Sequence, residues 1–125
     1  MTDMNNSSDR ESKVRTQLEE SAKSLAAGEP NRLLSASVRS VAPWAAFAMV
    51  IHWAPDQAED FYWVLLDEKR IGLFEIPRGP LVSIDDVVVE FIEVSVYSKK
   101  LSQSYRRKLK VAIELMKARS AKAHG

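Results

Sequence analysis

The sequence predicts an α+β fold, an antiparallel β-meander of three to five strands flanked by an N-terminal amphipathic helix and a long basic C-terminal helix. Three observations predict it. Two β-type runs, Phe61-Tyr62-Trp63-Val64-Leu65-Leu66 and Ile71-Gly72-Leu73-Phe74-Glu75-Ile76, stand four charged residues apart. Val14, Leu18, Ala22 and Leu25 recur at helical spacing before them, and Leu101, Tyr105, Leu109, Ala112, Ile113 and Met116 do so after them. Strands gathered between terminal helices define the class.

Taken in order, Met1 to Asp9 are polar and without apolar periodicity, and residues 1–9 read as a disordered tail. Residues 10–125 read as one globular domain, since 125 residues hold one core. The first helix is expected from Arg10 to Ala27. Asp9 can accept from the free N–H groups of its first turn, and Gly28 and Pro30 stop it.

Residues 31–55 are ambiguous. Ala42 to Trp53 suits either a buried helix starting at Pro43 or a strand from Phe47 with Phe47, Met49, Ile51 and Trp53 on one face. The closing Val, Ile and Trp, followed by Pro55, favour a turn or short helix at 43–46 and a strand at 47–53.

The hairpin is clearer. Asp67-Glu68-Lys69-Arg70 has the length of a hairpin connection, and Pro77-Arg78-Gly79-Pro80 ends the second strand because neither proline can donate to a ladder. Val87 to Val96 is apolar and β-branched, broken only by Glu90, Glu93 and Ser95, and reads as a further strand. In the last helix the six apolar residues fall within an arc of about 120°. Lys99, Arg106, Lys110 and Lys117 form a separate stripe about 40° wide, which Arg107 and Lys100 extend.

Charge is segregated along the chain. Residues 97–125 carry nine Lys or Arg against Glu114 alone, a net +8, while residues 1–96 carry nine bases and sixteen acids, a net −7. A polarised protein presents one sign of charge to something.

Several chemistries are disfavoured. Cysteine is absent, which removes disulfides, thiolate metal sites and a cysteine nucleophile and suits a reducing, cytoplasmic setting. The first ten residues contain no apolar run of the kind a secretory signal needs, and Ser40 to Pro55 is too short to span a bilayer. The four glycines are not spaced as a phosphate loop. No serine sits in a nucleophile elbow. No cofactor or metal is expected, and no enzyme activity.

Three constellations bear on chemistry. His52, Asp56 and Asp60 would share a helical face, but Pro55 interrupts it, and His52 reads as a core-edge residue. His124 reads as a frayed end. Pro55-Asp56 with Asp67-x-Lys69 fits the loose pattern of metal-dependent nucleases, in which carboxylates hold the metal and a lysine helps activate water. Asp67 and Lys69 fall in the hairpin connection, so the turn reading is preferred. Asp85, Asp86, Glu90 and Glu93 form an acidic patch best read as a solvated face.

The expected function is a small non-catalytic macromolecule-binding protein, a regulator, inhibitor or accessory subunit. It would dock an acidic protein partner through Lys99, Lys100, Arg106, Arg107, Lys110 and Lys117, with Tyr62 and Trp63 as aromatic anchors. The alternative is nucleic-acid binding through the same bases on phosphates. A homodimer pairing the basic and acidic parts of two copies is also compatible, and membrane insertion is not expected.

Overall fold

A computed structural model of the chain describes the backbone of residues 2–124 and the side chains of residues 9–119. Two helices, α1 (Thr2–Ala26) and α2 (Arg32–Val41), precede strands β1 (Met49–Pro55), β2 (Glu59–Leu65) and β3 (Arg70–Pro77). A 3-10 turn at Ile84–Asp86 leads into β4 (Val88–Glu93), followed by α3 (Val94–Lys99) and α4 (Gln103–His124). The four strands form one antiparallel sheet in the order β1-β2-β3-β4. The α+β meander between N-terminal helices and a long C-terminal helix is therefore the observed architecture.

Alternation along the strands gives the sheet two apolar faces, and helices cover each. On one, Met49, Ile51, Leu65 and Ile71 pack with Leu18 and Ala22 of α1 and with Leu109, Ala112 and Met116 of α4. On the other, Tyr62, Val64, Phe74 and Ile76 pack with Leu34 and Val38 of α2. Full burial of a Leu, Ile or Phe contributes about 1.5–3 kcal/mol, so these two layers dominate the stability of the fold.

α1 begins at Thr2, upstream of the expected start at Arg10, and its helical backbone includes residues 2–9. Nothing in TDMNNSSD breaks a helix, and extending an existing helix costs far less than nucleating one. Asp9 is consequently an interior residue and not a cap. The side chains of Lys122 and His124 lie outside the described residues.

α2 occupies residues where no helix was expected. Asn31 starts it by accepting, through Oδ1, the N–H groups of Leu33 (2.9 Å) and Leu34 (3.2 Å). Ser35 is fully buried and donates its hydroxyl to the Leu25 carbonyl (2.8 Å), which ties α2 to the end of α1. Pro43 and Trp44 then turn the chain, and the strand reading of the following residues holds, starting at Met49.

One strand face differs from expectation. A bulge between Val50 and His52 leaves Ile51 without a partner on β2, so Ile51 and His52 both face α4. The alternation changes phase there, and Trp53 crosses to the α2 side, where its ring stacks on Tyr62 at 6.5 Å. Trp53 is 53% exposed, while Met49 and Ile51 are buried.

The two sheet edges are treated differently. The Ser21 hydroxyl of α1 accepts from the Val50 amide (2.9 Å) and donates to the Val50 carbonyl (3.3 Å), clasping the outer side of β1. Among the described residues, no side chain clasps the outer side of β4 in this way. The β2–β3 connection is a tight turn in which Asp67 Oδ1 accepts from the Lys69 and Arg70 amides (2.8 and 2.7 Å). The 3-10 turn is opened by a reciprocal pair, Ser83 and Asp86, whose carboxylate accepts the Ser83 amide at 2.9 Å. β4 stops at Glu93, shorter than the run to Val96 implied, because the chain turns at once into α3.

Candidate functional site

Lys99, Lys100, Arg106, Arg107 and Lys110 lie at or near the corner where α3 meets α4, and Lys117 lies about four turns along α4. Lys99 ends α3, Lys100 follows it, and Leu101-Ser102 separate the two helices. The expected single stripe from Lys99 to Lys117 on one helix is thus interrupted, and Lys99 lies on a different helix from Arg107, Lys110 and Lys117. No glycine or proline marks the break, so periodicity alone runs straight through it.

Arg106 rejoins the two parts. Its Nε donates to the Ser98 carbonyl (2.9 Å) and its Nη2 to the Lys99 carbonyl (3.2 Å). These are terminal carbonyls of α3, which a cation satisfies both by hydrogen bonding and by its charge at the negative helix end. Arg106 therefore fixes the angle of the corner and brings Lys99 and Lys100 beside the first turns of α4.

Lys99, Lys100, Arg106, Arg107, Lys110 and Lys117 are all exposed, and none lies within 4.0 Å of a described carboxylate. Glu114, the lone acid of this region, is directed to Arg15 of α1 at 3.8 Å. Among the described residues, none of these six bases is paired with an acid. Lys108 belongs to the packed side instead, where burial lowers its pKa from the ordinary lysine value. The buried arc of α4 also reaches Val111 and Leu115, beyond the expected side chains, because α4 packs on α1 as well as on the sheet.

Of the two expected aromatic anchors, Tyr62 is withdrawn. It is 6% exposed on the α2 side of the sheet, where burial raises its phenol pKa, and it has no surface to offer a partner. Trp63, its neighbour, faces the opposite way and is half-buried. There it begins an aromatic row. His52 lies 5.0 Å from Trp63 and 5.4 Å from Tyr105, ring centroid to centroid, and Phe61 lies 6.4 Å from Trp63. Burial, and then the charge of Lys108, lower the His52 pKa from its ordinary value. Tyr105 is the exposed end of this row and directly precedes Arg106 at the corner.

The remaining constellations fall apart. His52 faces α4, whereas Asp60 faces the other side and binds Arg78 and the Trp53 indole. Asp56 accepts the Gln57 amide in the β1–β2 connection. Both carboxylate oxygens of Asp67 are used by its own turn and by Arg70. Among the described residues, no three His, Asp or Glu side chains converge as a metal site would. No described helix is long and apolar enough to cross a membrane.

Comparison with protein-family models, with curated proteins and with solved structures finds no match for the chain.

Proposed function

We propose that the protein is a small non-catalytic binding protein, a cytoplasmic regulator, inhibitor or accessory subunit, that docks an acidic surface of a partner protein on the α3–α4 corner. The observation that supports it is the geometry of the charge. Five exposed bases, Lys99, Lys100, Arg106, Arg107 and Lys110, lie at or within about two turns of a corner that Arg106 holds, Lys117 continues the charge along α4, and Glu114 is directed to Arg15. Such a surface attracts an anionic partner from a distance, and its fixed shape selects among partners.

Tyr105 and the half-buried Trp63 behind it give the corner the mixture of tyrosine, tryptophan and arginine that carries affinity in protein interfaces. The acidic remainder of the chain, −7 over residues 1–96, opposes a long polyanion while leaving a compact acidic patch unhindered. Protein docking is preferred to nucleic-acid binding on that ground.

Charge reversal at Arg107 and Lys110 tests the reading, because neither side chain bonds to the fold while Arg106 does. A pull-down from the native cell should recover an acidic protein with the wild type and not with Arg107→Glu/Lys110→Glu, at unchanged melting temperature. In parallel, a mobility-shift titration with duplex DNA and structured RNA should show no complex at micromolar protein in moderate salt. Retention of every partner by the double variant sinks the docking surface, and a tight nucleic-acid complex lost by that variant replaces it with the phosphate reading.

A further inference from the structure

We propose that the outer edge of β4 accepts an extended, lysine- or arginine-rich segment of a partner protein as a fifth strand. The surface is separate from the α3–α4 corner, and the inference stands independently of the function proposed for it.

The direction of the ladder identifies the free groups. The Val94 amide donates to the Lys69 carbonyl at 2.8 Å, so this residue points its backbone at β3. By the alternation of an antiparallel pair, Ile92, Glu90 and Val88 point the same way. The N–H and C=O groups of Val89, Phe91 and Glu93 then face outward, and β4 pairs with β3 alone. The opposite edge of the sheet has no such vacancy at Val50, which Ser21 occupies from both sides.

Side chains along β4 are those of a binding edge. Val88 is 58% exposed on the α4 side of the sheet and Phe91 53% exposed on the α2 side. An incoming strand would cover apolar surface on both faces as it completed the backbone ladder. An edge kept free of partners carries charge without such apolar side chains.

Charge decides between occupants. Asp85, Asp86, Glu90 and Glu93 are exposed on or beside this edge, and none forms an ion pair with a described base. Arg70, across from Glu93 in register, is bound to Asp67 at 2.9 Å. Two copies of β4 placed edge to edge would bring eight carboxylates together, which opposes self-pairing. A basic extended segment meets the same four acids favourably, and its apolar side chains meet Val88 and Phe91.

Two ten-residue peptides, one with the repeat Val-Val-Lys-Lys and one with Val-Val-Glu-Glu, each presenting apolar and charged side chains on both faces of a strand, serve as probes in fluorescence anisotropy and amide hydrogen exchange. The lysine peptide should bind more tightly and slow exchange at Val89, Phe91 and Glu93. Val89→Pro removes an outward N–H without touching the β3 ladder, and should weaken binding by about fivefold or more. Retained protection at Glu90 and Ile92 in that variant shows that the sheet is intact. Glu90→Lys/Glu93→Lys tests the charge without altering the backbone, and should reverse the preference between the peptides. Arg107→Glu/Lys110→Glu should leave peptide binding unchanged. Equal affinity for the two peptides, protection elsewhere than β4, or a dimer protected at Val89 and Phe91 without peptide overturns the proposal, the last by making a second copy the occupant.

Discussion

The Phe74 ring lies against the backbone of Gly72, where an added Cβ would come within 2.6 Å of Phe74 Cε2 and 3.3 Å of Leu66 Cδ1. The two residues share a face of β3, and the missing side chain of one is the space filled by the other. Phe74 is fully buried, so its ring has little room to move. Gly72→Ala should cost about 1–3 kcal/mol by overpacking. Gly72→Ala combined with Phe74→Leu should cost less than the sum of the single changes, as read from urea denaturation. Additivity of the two would contradict the steric account.

Ser21→Ala removes both hydrogen bonds that clasp Val50. The expected loss is about 1–2 kcal/mol, the cost of leaving a partly buried backbone pair without its partner. Amide exchange at Val50 should accelerate more than at Val64, its neighbour inside the sheet, and equal acceleration would indicate general loosening instead.

Ser37 presents the opposite case. It is buried in α2 and its hydroxyl meets no described hydrogen-bond partner. Ser37→Ala should raise stability by about 1 kcal/mol, since it removes an uncompensated polar atom and improves helix propensity. A loss of stability would show that the hydroxyl is satisfied in solution.

Asp60 sets part of the acid limb of the stability curve. Hydrogen bonds from Arg78 (2.8 and 3.1 Å), helped by the Trp53 indole, hold its carboxyl below the ordinary 3.8 against a smaller opposing effect of burial. A carboxyl with a depressed folded pKa binds its proton less readily folded than unfolded. Its stabilisation is therefore complete above the ordinary value and disappears as pH falls through the lower one. Asp60→Asn should be less stable than wild type near neutrality, and the gap should close on acidification below about pH 4. A gap that stays constant with pH assigns the effect to packing.

Arg106 differs from its basic neighbours. Arg106→Gln should destabilise the α3–α4 junction by about 1–2 kcal/mol, because the terminal carbonyls of α3 lose a charged donor. Lys110→Gln should change stability by less than about 0.5 kcal/mol. Equal melting temperatures for the two variants would remove the positioning role of Arg106.

Local patterns made much of this fold legible. The hairpin was readable from two β-rich runs about a charged connection, and α4 from Tyr105, Leu109, Ala112, Ile113 and Met116 in phase, although Leu101 of the same series lies before it. Two features were hidden for definite reasons. α2 has a cap in Asn31 and an apolar side in Leu34 and Val38, but Ser35 and Ser37, both buried, interrupt the stripe with polar residues. The bulge at Ile51 adds a residue to one strand only, and strict alternation along that strand carries no sign of it. That one residue explains why Trp53 was placed on the wrong face. Charge at the candidate site could be counted from composition, whereas the bonds of Arg106 to Ser98 and Lys99 depend on a helix break that periodicity does not register.

The clasp of Ser21 on Val50 also imposes an order of events during synthesis. α1 ends at Ala26 and β1 begins at Met49, so the ribosome delivers the cover before it delivers the edge that needs covering. A nascent β1 that emerges to find α1 already present can be capped by its own chain before a neighbouring polypeptide reaches it. Among the described residues β4 has no such clasp from the helices made before it, and the like charge of Asp85, Asp86, Glu90 and Glu93 opposes pairing of that strand with its counterpart on a neighbouring newly made chain.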